Sequence, residues 1–267
     1  MILRVGVLIF ALVWLVACTA EPLPPPTIIV PETAVLQIGV SSGAEAIVPL
    51  VAGAPTANTV LNTVTGSGST LLASLTAGEL DAVLVHVVPP DSSVWFNPVA
   101  LDGLVVVVHP DNPVTALTLG EVQAVFNGRL TNWQSLGGPD APIQLVGRER
   151  GSGARQIFAE RVMAGQRMSI NALVVADDAA LLTAVANDPN AIGYSFMGTA
   201  ANTAVRMLTI DNVPPANNTV AAQAYPLTTP LYFVSQQEPS GALRAWLAWV
   251  QSETGQMAVA QRYGRVR

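Results

Sequence analysis

From residue 34 onward, short runs of alternating or continuous apolar residues take turns with helically spaced ones, and polar turns rich in Gly and Ser separate them. Leu36-Gln-Ile38-Gly-Val40 alternates with a period of two and predicts a strand, which runs into the turn Ser41-Ser42-Gly43. Ala44–Val51 reads as a short helix. Thr63-Val64-Thr65 leads to a second turn, Gly66-Ser67-Gly68-Ser69-Thr70, and Leu71, Leu72 and Leu75 follow at helical spacing, with Gly78 as the closing residue. Leu80–Val88 is apolar apart from Asp81 and His86, and Pro89-Pro90 stops it. Leu104–Val108 is a continuous apolar run, the signature of a strand covered on both faces. His109-Pro-Asp-Asn-Pro113 breaks it.

The same alternation continues. Leu119, Val122 and Phe126 give a helix over Thr118–Phe126, closed by Asn127-Gly128; Thr131-Asn-Trp133 and Gly137-Gly138 form a compact loop. An apolar stretch ends at Arg148, Gly151-Ser152-Gly153 turns the chain, and Ala154, Ile157, Phe158, Arg161 and Val162 share a helix face. Val174-Val175-Ala176 predicts a strand, and Asp177-Asp178 caps a helix reaching Ala186, with its acidic residues well placed against the dipole. Ala191–Phe196 predicts another strand, Asn217–Pro226 is turn-rich, and Leu231–Val234 resumes an apolar run. Leu243, Trp246, Leu247 and Val250 form one face of a C-terminal helix. Strands and helices in alternation predict an α/β fold with mostly parallel sheets.

Three of the expected strands end in Ser/Gly turns. A strand, such a turn and a helix start describe an anion site: the first helical amides have no internal partner, and the dipole adds partial positive charge. Glycine lets an oxyanion approach the backbone, serine adds a hydroxyl, and arginine can grip two oxygens at once. A single turn of this kind needs no ligand, since Ser is a preferred N-cap. Their recurrence at strand ends, where ligands sit in open α/β sheets, points to convergence on one place.

Composition narrows the chemistry. The chain has 267 residues, 51% hydrophobic and 11% charged, with a net charge of −6, and all twelve basic residues are arginine. An acidic, lysine-free chain is a poor partner for nucleic acid, whose binding depends on neutralising phosphates. An anion would be held by local hydrogen bonds against the overall field. With two histidines, one cysteine and no HExxH, paired-His or GxSxG arrangement, no catalytic residue, metal or cofactor is expected.

Residues 1–17 read as a lipoprotein signal peptide: Arg4, an apolar Val5–Val16, then Leu15-Val16-Ala17-Cys18. Val5–Val16 is short for a membrane span, which needs about 20 apolar residues. Cys18, the sole cysteine, is the expected lipidation site, and the Pro-rich stretch 18–33 an extended tether. The expected location is the outer face of a bacterial cytoplasmic membrane, within the cell envelope or periplasm.

Asn97-Pro-Val-Ala-Leu-Asp-Gly103 through His109-Pro-Asp-Asn-Pro113, then Leu117-Thr-Leu-Gly-Glu121, Val125-Phe-Asn-Gly128, Thr131-Asn-Trp133, Gly137-Gly138 and the Arg148–Phe158 segment, follow one order. Ala191-Ile-Gly-Tyr194, Tyr225-Pro-Leu227 and Gly255-Gln256 complete it. In this order the chain resembles the phosphate-type substrate-binding proteins of ABC transporters, members of the periplasmic-binding-protein superfamily. The resemblance implies a type II fold of two lobes, 34–110 with 227–267 and 111–226, each a mostly parallel sheet flanked by helices, with the ligand cleft between them. It implies a monomer that captures phosphate or a related oxyanion and delivers it to a permease with an ATPase, both on other chains. The implied ligand residues are Ser41 and Ser42 in the first turn, Ser67, Gly68 and Ser69 in the second, and Arg148, Ser152, Gly153 and Ala154 around the third.

Two positions depart from the family pattern. The third turn usually reads Ser-Gly-Thr, and Ala154 keeps the amide but loses a hydroxyl, worth on the order of 1 kcal/mol. His86 stands near the position of the family's acidic residue, which accepts the proton that phosphate carries and sulfate lacks. A neutral imidazole can accept through one nitrogen, or His86 can donate to a deprotonated oxyanion, or lie buried at a strand end. Val83-Leu-Val-His86 also resembles tungstate-binding relatives, so tungstate or molybdate stays open as the ligand. So does a sensor or adhesion lipoprotein with the same fold. Arg150 and Arg155 read as solvated charges or supports, His109 as structural and Trp133 as a packing anchor. Arg148, at a strand end, reads as the main counter-charge; its removal is expected to weaken oxyanion binding severely while leaving the thermal midpoint of the ligand-free protein nearly unchanged.

Overall fold

In the computed structural model, which describes residues 33–53, 59–90 and 93–266, the strand-turn-helix rhythm of the sequence is laid out around one large sheet. The signal segment, Cys18 and the Pro-rich stretch up to Glu32 lie outside the described residues. β1 (Ala34–Ser41) leads through a 3-10 turn, Ser42–Ile47, into α1 (Val48–Val51); β2 (Thr59–Gly66), α2 (Gly68–Thr76) and β3 (Ala82–Val85) follow. A long β4 (Trp95–Val108) precedes β5 (Ala116–Leu117), α3 (Leu119–Phe126), a 3-10 turn at Trp133–Leu136, β6 (Gln144–Arg148) and α4 (Gly153–Arg161). The chain then forms β7 (Leu173–Val175), α5 (Asp178–Asn187), β8 (Ala191–Phe196), α6 (Met197–Ala200), β9 (Arg206–Met207) and β10 (Thr209–Ile210). It closes with α7 (Asn217–Ala221), β11 (Thr228–Ser235), α8 (Gly241–Val250) and α9 (Glu253–Val259).

The sheet order is β2-β1-β3-β11-β4-β8-β6-β7, with β9 on β4. Its flanks are parallel: β1 pairs with β2 and β3, and β6 with β7 and β8. Its middle is antiparallel, because β4 and β11 are the strands on which the chain leaves one flank and returns to it. Trp95–Gly103 of β4 pairs with β11, and Leu104–Val108 with β8.

Two larger apolar cores follow from this layout. One gathers Ile38, Val40, Ile47, Leu84, Phe233 and Trp246. The other gathers Val105–Val108, Phe126, Trp133, Phe158, Leu181 and Tyr194. The chain changes core within β4, between Ala100 and Leu101, and again between Leu227 and Leu231. Trp133 is the anchor its spacing suggested, fully buried with its indole N–H donating to the Asn190 carbonyl at 2.9 Å.

Differences from the sequence expectation have local causes. The first nine residues of β4 do not read as strand because Pro98 and Asp102 interrupt them. Pro98 is tolerated because the β11 register slips at Leu231/Tyr232, beside its partner Tyr232, and a bulge does not need its missing N–H. Ala44–Val51 is the short helix expected, 3-10 up to Ile47 and α from Val48. The turn-rich Asn217–Pro226 holds the five-residue α7, and α9 was hidden by Gly255. That glycine is required: a Cβ there would lie 2.1 Å from the Trp249 carbonyl, and backbone cannot step aside. Gly255→Ala is expected to destabilise by about 1–3 kcal/mol, read as a lower urea midpoint at constant slope.

Among the described residues no helix is long and apolar enough to cross a membrane.

Candidate functional site

The three turns meet. Ser41, Ser42, Ser67, Gly68, Ser69, His86, Arg148, Ser152, Gly153 and Ala154, drawn from five separate stretches of chain, all line one cavity of about 60 Å³. That volume is far below the roughly 300–1,000 Å³ of pockets for drug-sized ligands, and suits a small polyatomic ion. The second and third turns touch directly: the Ser69 amide donates to the Gly151 carbonyl at 3.3 Å. Gly151 permits this, since a Cβ would stand 2.5 Å from Ser69 Oγ and 3.1 Å from Ser67 Oγ.

Capping and cavity lining coexist in the same serines. Ser67 Oγ accepts from the Thr70 amide at 3.3 Å, and Ser152 Oγ from the Arg155 amide at 3.4 Å. The Gly68, Gly153 and Ala154 amides precede these in the first turns of α2 and α4, where the helix itself supplies no acceptor. Ser41 makes no capping bond, and its buried hydroxyl has no partner within the protein. His86 is likewise buried, and its Nδ1 is unpartnered. Buried polar atoms are rarely left so without a reason.

Arg148 is 1% exposed, and its guanidinium is held on several sides. It bonds the Asp178 carboxylate, reaches Glu149 with Nε at 3.1 Å, and donates from Nη2 to Ser42 Oγ at 3.2 Å and the Ala176 carbonyl at 3.3 Å. Burial alone would lower its pKa; the Asp178 and Glu149 carboxylates outweigh this and raise it above the ordinary arginine value. Ser42 Oγ and Ser195 Oγ both donate to Asp178, at 2.9 and 2.8 Å. The counter-charge expected of Arg148 is thus shared with two carboxylates, and hydrogen-bond donors rather than net positive charge dominate the site. The expectation that removing Arg148 leaves stability unchanged is corrected: the arginine is buried in a network, not displayed at a turn.

Arg155 is half-buried and donates to the Arg148 carbonyl at 2.6 Å, a support for the strand end, whereas Arg150 is exposed. The His109 ring accepts from the Asp111 amide at 3.1 Å and stands outside the cavity lining.

Asp178, Asp102 and Phe196 belong to the site without being singled out by the sequence reading. Asp177-Asp178 reads as a helix cap, but Asp177 alone does that work, accepting from the Ala180 amide at 2.7 Å. A second aspartate with no capping work was the available signal. Asp102 is fully buried and bonds His86 Nε2 at 3.1 Å. It lies in the uninterrupted buried stretch Val99–Val108, where a carboxylate must be paired. Phe196 also lines the cavity and stacks on the His86 ring, centroids 3.5 Å apart and planes within 8°. Gly43 packs edge-on to that phenyl ring: a Cβ there would lie 2.4 Å from it. Gly43→Val is expected to displace Phe196 and His86 together and weaken anion binding at least tenfold, measured by calorimetric titration.

Residues 31–254 match the model of the PBP superfamily domain, and the chain belongs to that superfamily. It is 29% identical over 170 residues to a Bacillus subtilis protein named phosphate-binding protein PstS, covering 63% of this chain and 56% of that one. The chain spans under two thirds of the length of the first curated relatives it matches. In fold it is similar to a Clostridium perfringens substrate-binding protein solved with bound phosphate, with a TM-score of 0.79, 24% identity, and 87% of this chain and 100% of that one covered. It is also similar to an ABC-type phosphate transport receptor from Vibrio cholerae, with a TM-score of 0.67, 24% identity, and 87% and 99% covered.

Proposed function

We propose that this chain is the extracytoplasmic substrate-binding component of an ABC importer, capturing a tetrahedral oxyanion, phosphate first, between two lobes. The observation that carries this reading is the convergence of three Ser/Gly turns on one small cavity with two unpartnered buried polar atoms. The two apolar cores, between which the chain passes on β4 and on β11, are the bodies that would hinge. Closure around the ion excludes water and strengthens each hydrogen bond, and the closed form is what a permease on another chain recognises. The names of the curated relatives support phosphate over other ligands. Lipidation at Cys18 and the tether to residue 33 would hold the protein at the membrane beside that permease.

The test is equilibrium dialysis of ligand-stripped protein against labelled phosphate, molybdate, tungstate and sulfate. Saturable phosphate binding at micromolar concentration supports the proposal. Preference for tungstate or molybdate reassigns the ligand, and no saturable binding to any of the four replaces transport by a sensor or adhesion role.

A further inference from the structure

Of the two unpartnered buried polar atoms in the cavity wall, His86 Nδ1 can carry a proton and Ser41 Oγ cannot give one up. The imidazole is not free to turn. Phe196 stacks on one face, and Nε2 bonds Asp102 Oδ2 at 3.1 Å. Asp102 is fixed in turn, its Oδ1 accepting from the Gly103 amide at 2.8 Å and the Gly198 amide at 3.1 Å. A carboxylate so placed demands a proton on Nε2, which leaves Nδ1 as a lone pair when the ring is neutral and as a donor when it is charged.

The charges around the ring decide what an anion does to it. Across the cavity stand Arg148 and Asp178, with Glu149 on the outer side of the guanidinium and Arg155 on its carbonyl. Behind the ring stands Asp102, with Tyr263 close to it and Arg262 beside that tyrosine. Burial, and then the Asp102 charge, hold the Tyr263 hydroxyl well above its ordinary pKa, so it stays neutral. With a neutral ring, Asp102 has no counter-charge bonded to it, while Arg148 is already shared by two carboxylates. An arriving anion therefore favours a proton between itself and Nδ1.

We propose that His86 and Asp102 form a proton-holding pair that completes the anion site, so that every bound oxyanion shares one proton with Nδ1. This rests on the oxyanion reading above. Monohydrogen phosphate brings that proton with it. Sulfate brings none, and binds only by drawing one proton from solvent onto Nδ1. Discrimination between the two is thus graded by pH, where a carboxylate at the same place would exclude sulfate outright. Asp102 is the positioning residue, setting which nitrogen faces the ion.

Calorimetric titration at pH 8 in two buffers of different ionisation enthalpy tests this, with sulfate affinity also followed from pH 6 to 8.5. For sulfate the heats are expected to differ by one buffer ionisation per anion, and the Kd to rise towards about tenfold per pH unit at the alkaline end. For phosphate at pH 8 the heats are expected to agree. In Asp102→Asn the oxygen is expected to keep the two backbone amides and the new NH₂ to face Nε2. The neutral ring must then carry its proton on Nδ1, so sulfate binds with no proton uptake and little pH dependence, an outcome that loss of packing would not produce. His86→Asn, which has no titrating group, is expected to abolish the uptake as well. Wild-type sulfate affinity that is flat from pH 6 to 8.5 overturns the proposal, as does phosphate binding with no sulfate binding even at pH 6. If neither anion binds at any pH, the oxyanion reading itself has failed and this pair with it.

Discussion

Arg148→Ala is expected to lose at least tenfold in oxyanion affinity and, unlike a surface arginine, to unfold roughly 10 °C below the wild type without ligand. The arginine and Asp178 are almost fully buried together, with side chains 1% and 2% exposed. Removing one member of such a pair leaves the other as a lone charge out of water, which costs about 3–5 kcal/mol. Ser42 and Ser195 would still donate to Asp178, but two neutral hydroxyls do not replace a guanidinium. The double change Arg148→Ala with Asp178→Asn separates the two effects: it is expected to recover most of the stability and none of the affinity. A single variant as stable as the wild type would show the pair to be dispensable to the fold.

Phe196→Ala has the second largest expected effect, a loss of about 3–5 kcal/mol with a fall in anion affinity. This ring ends β8, is 2% exposed, stacks on His86 and abuts Gly43, so it supports the first turn and the imidazole at once. Phe196→Leu retains much of the apolar volume and is expected to keep most of the stability while losing the flat face that orients His86. Thermal unfolding paired with phosphate titration distinguishes the two variants. Equal affinity in all three proteins would remove Phe196 from the site.

The site was largely legible in the sequence because its parts are local signals. A strand end, a Ser or Gly and a helix start lie within a few residues of one another, and each can be read without knowing the rest. Residues of all three turns line the cavity, as do Arg148 and His86, which the family resemblance adds to them. What could not be read was pairing across long distances. Asp178 lies 30 residues from Arg148, and Asp102 lies 16 from His86; nothing in the local pattern says that these charges meet. The fold shows the same division. α3 was legible from Thr118 to Phe126 because Leu119, Val122 and Phe126 recur at helical spacing within eight residues. The first nine residues of β4 were not, because what makes Pro98 acceptable there is a bulge against β11, about 130 residues away.

The convergence of the three turns on one ion is tested most directly by mapping backbone amide shifts as ligand-stripped, isotope-labelled protein is titrated with phosphate. The expected result is a saturable one-to-one titration with the largest shifts at Gly43, Gly68, Gly153 and Ala154, contributed by all three turns. Phosphate that leaves these amides unmoved, or that shifts only one turn, would contradict it.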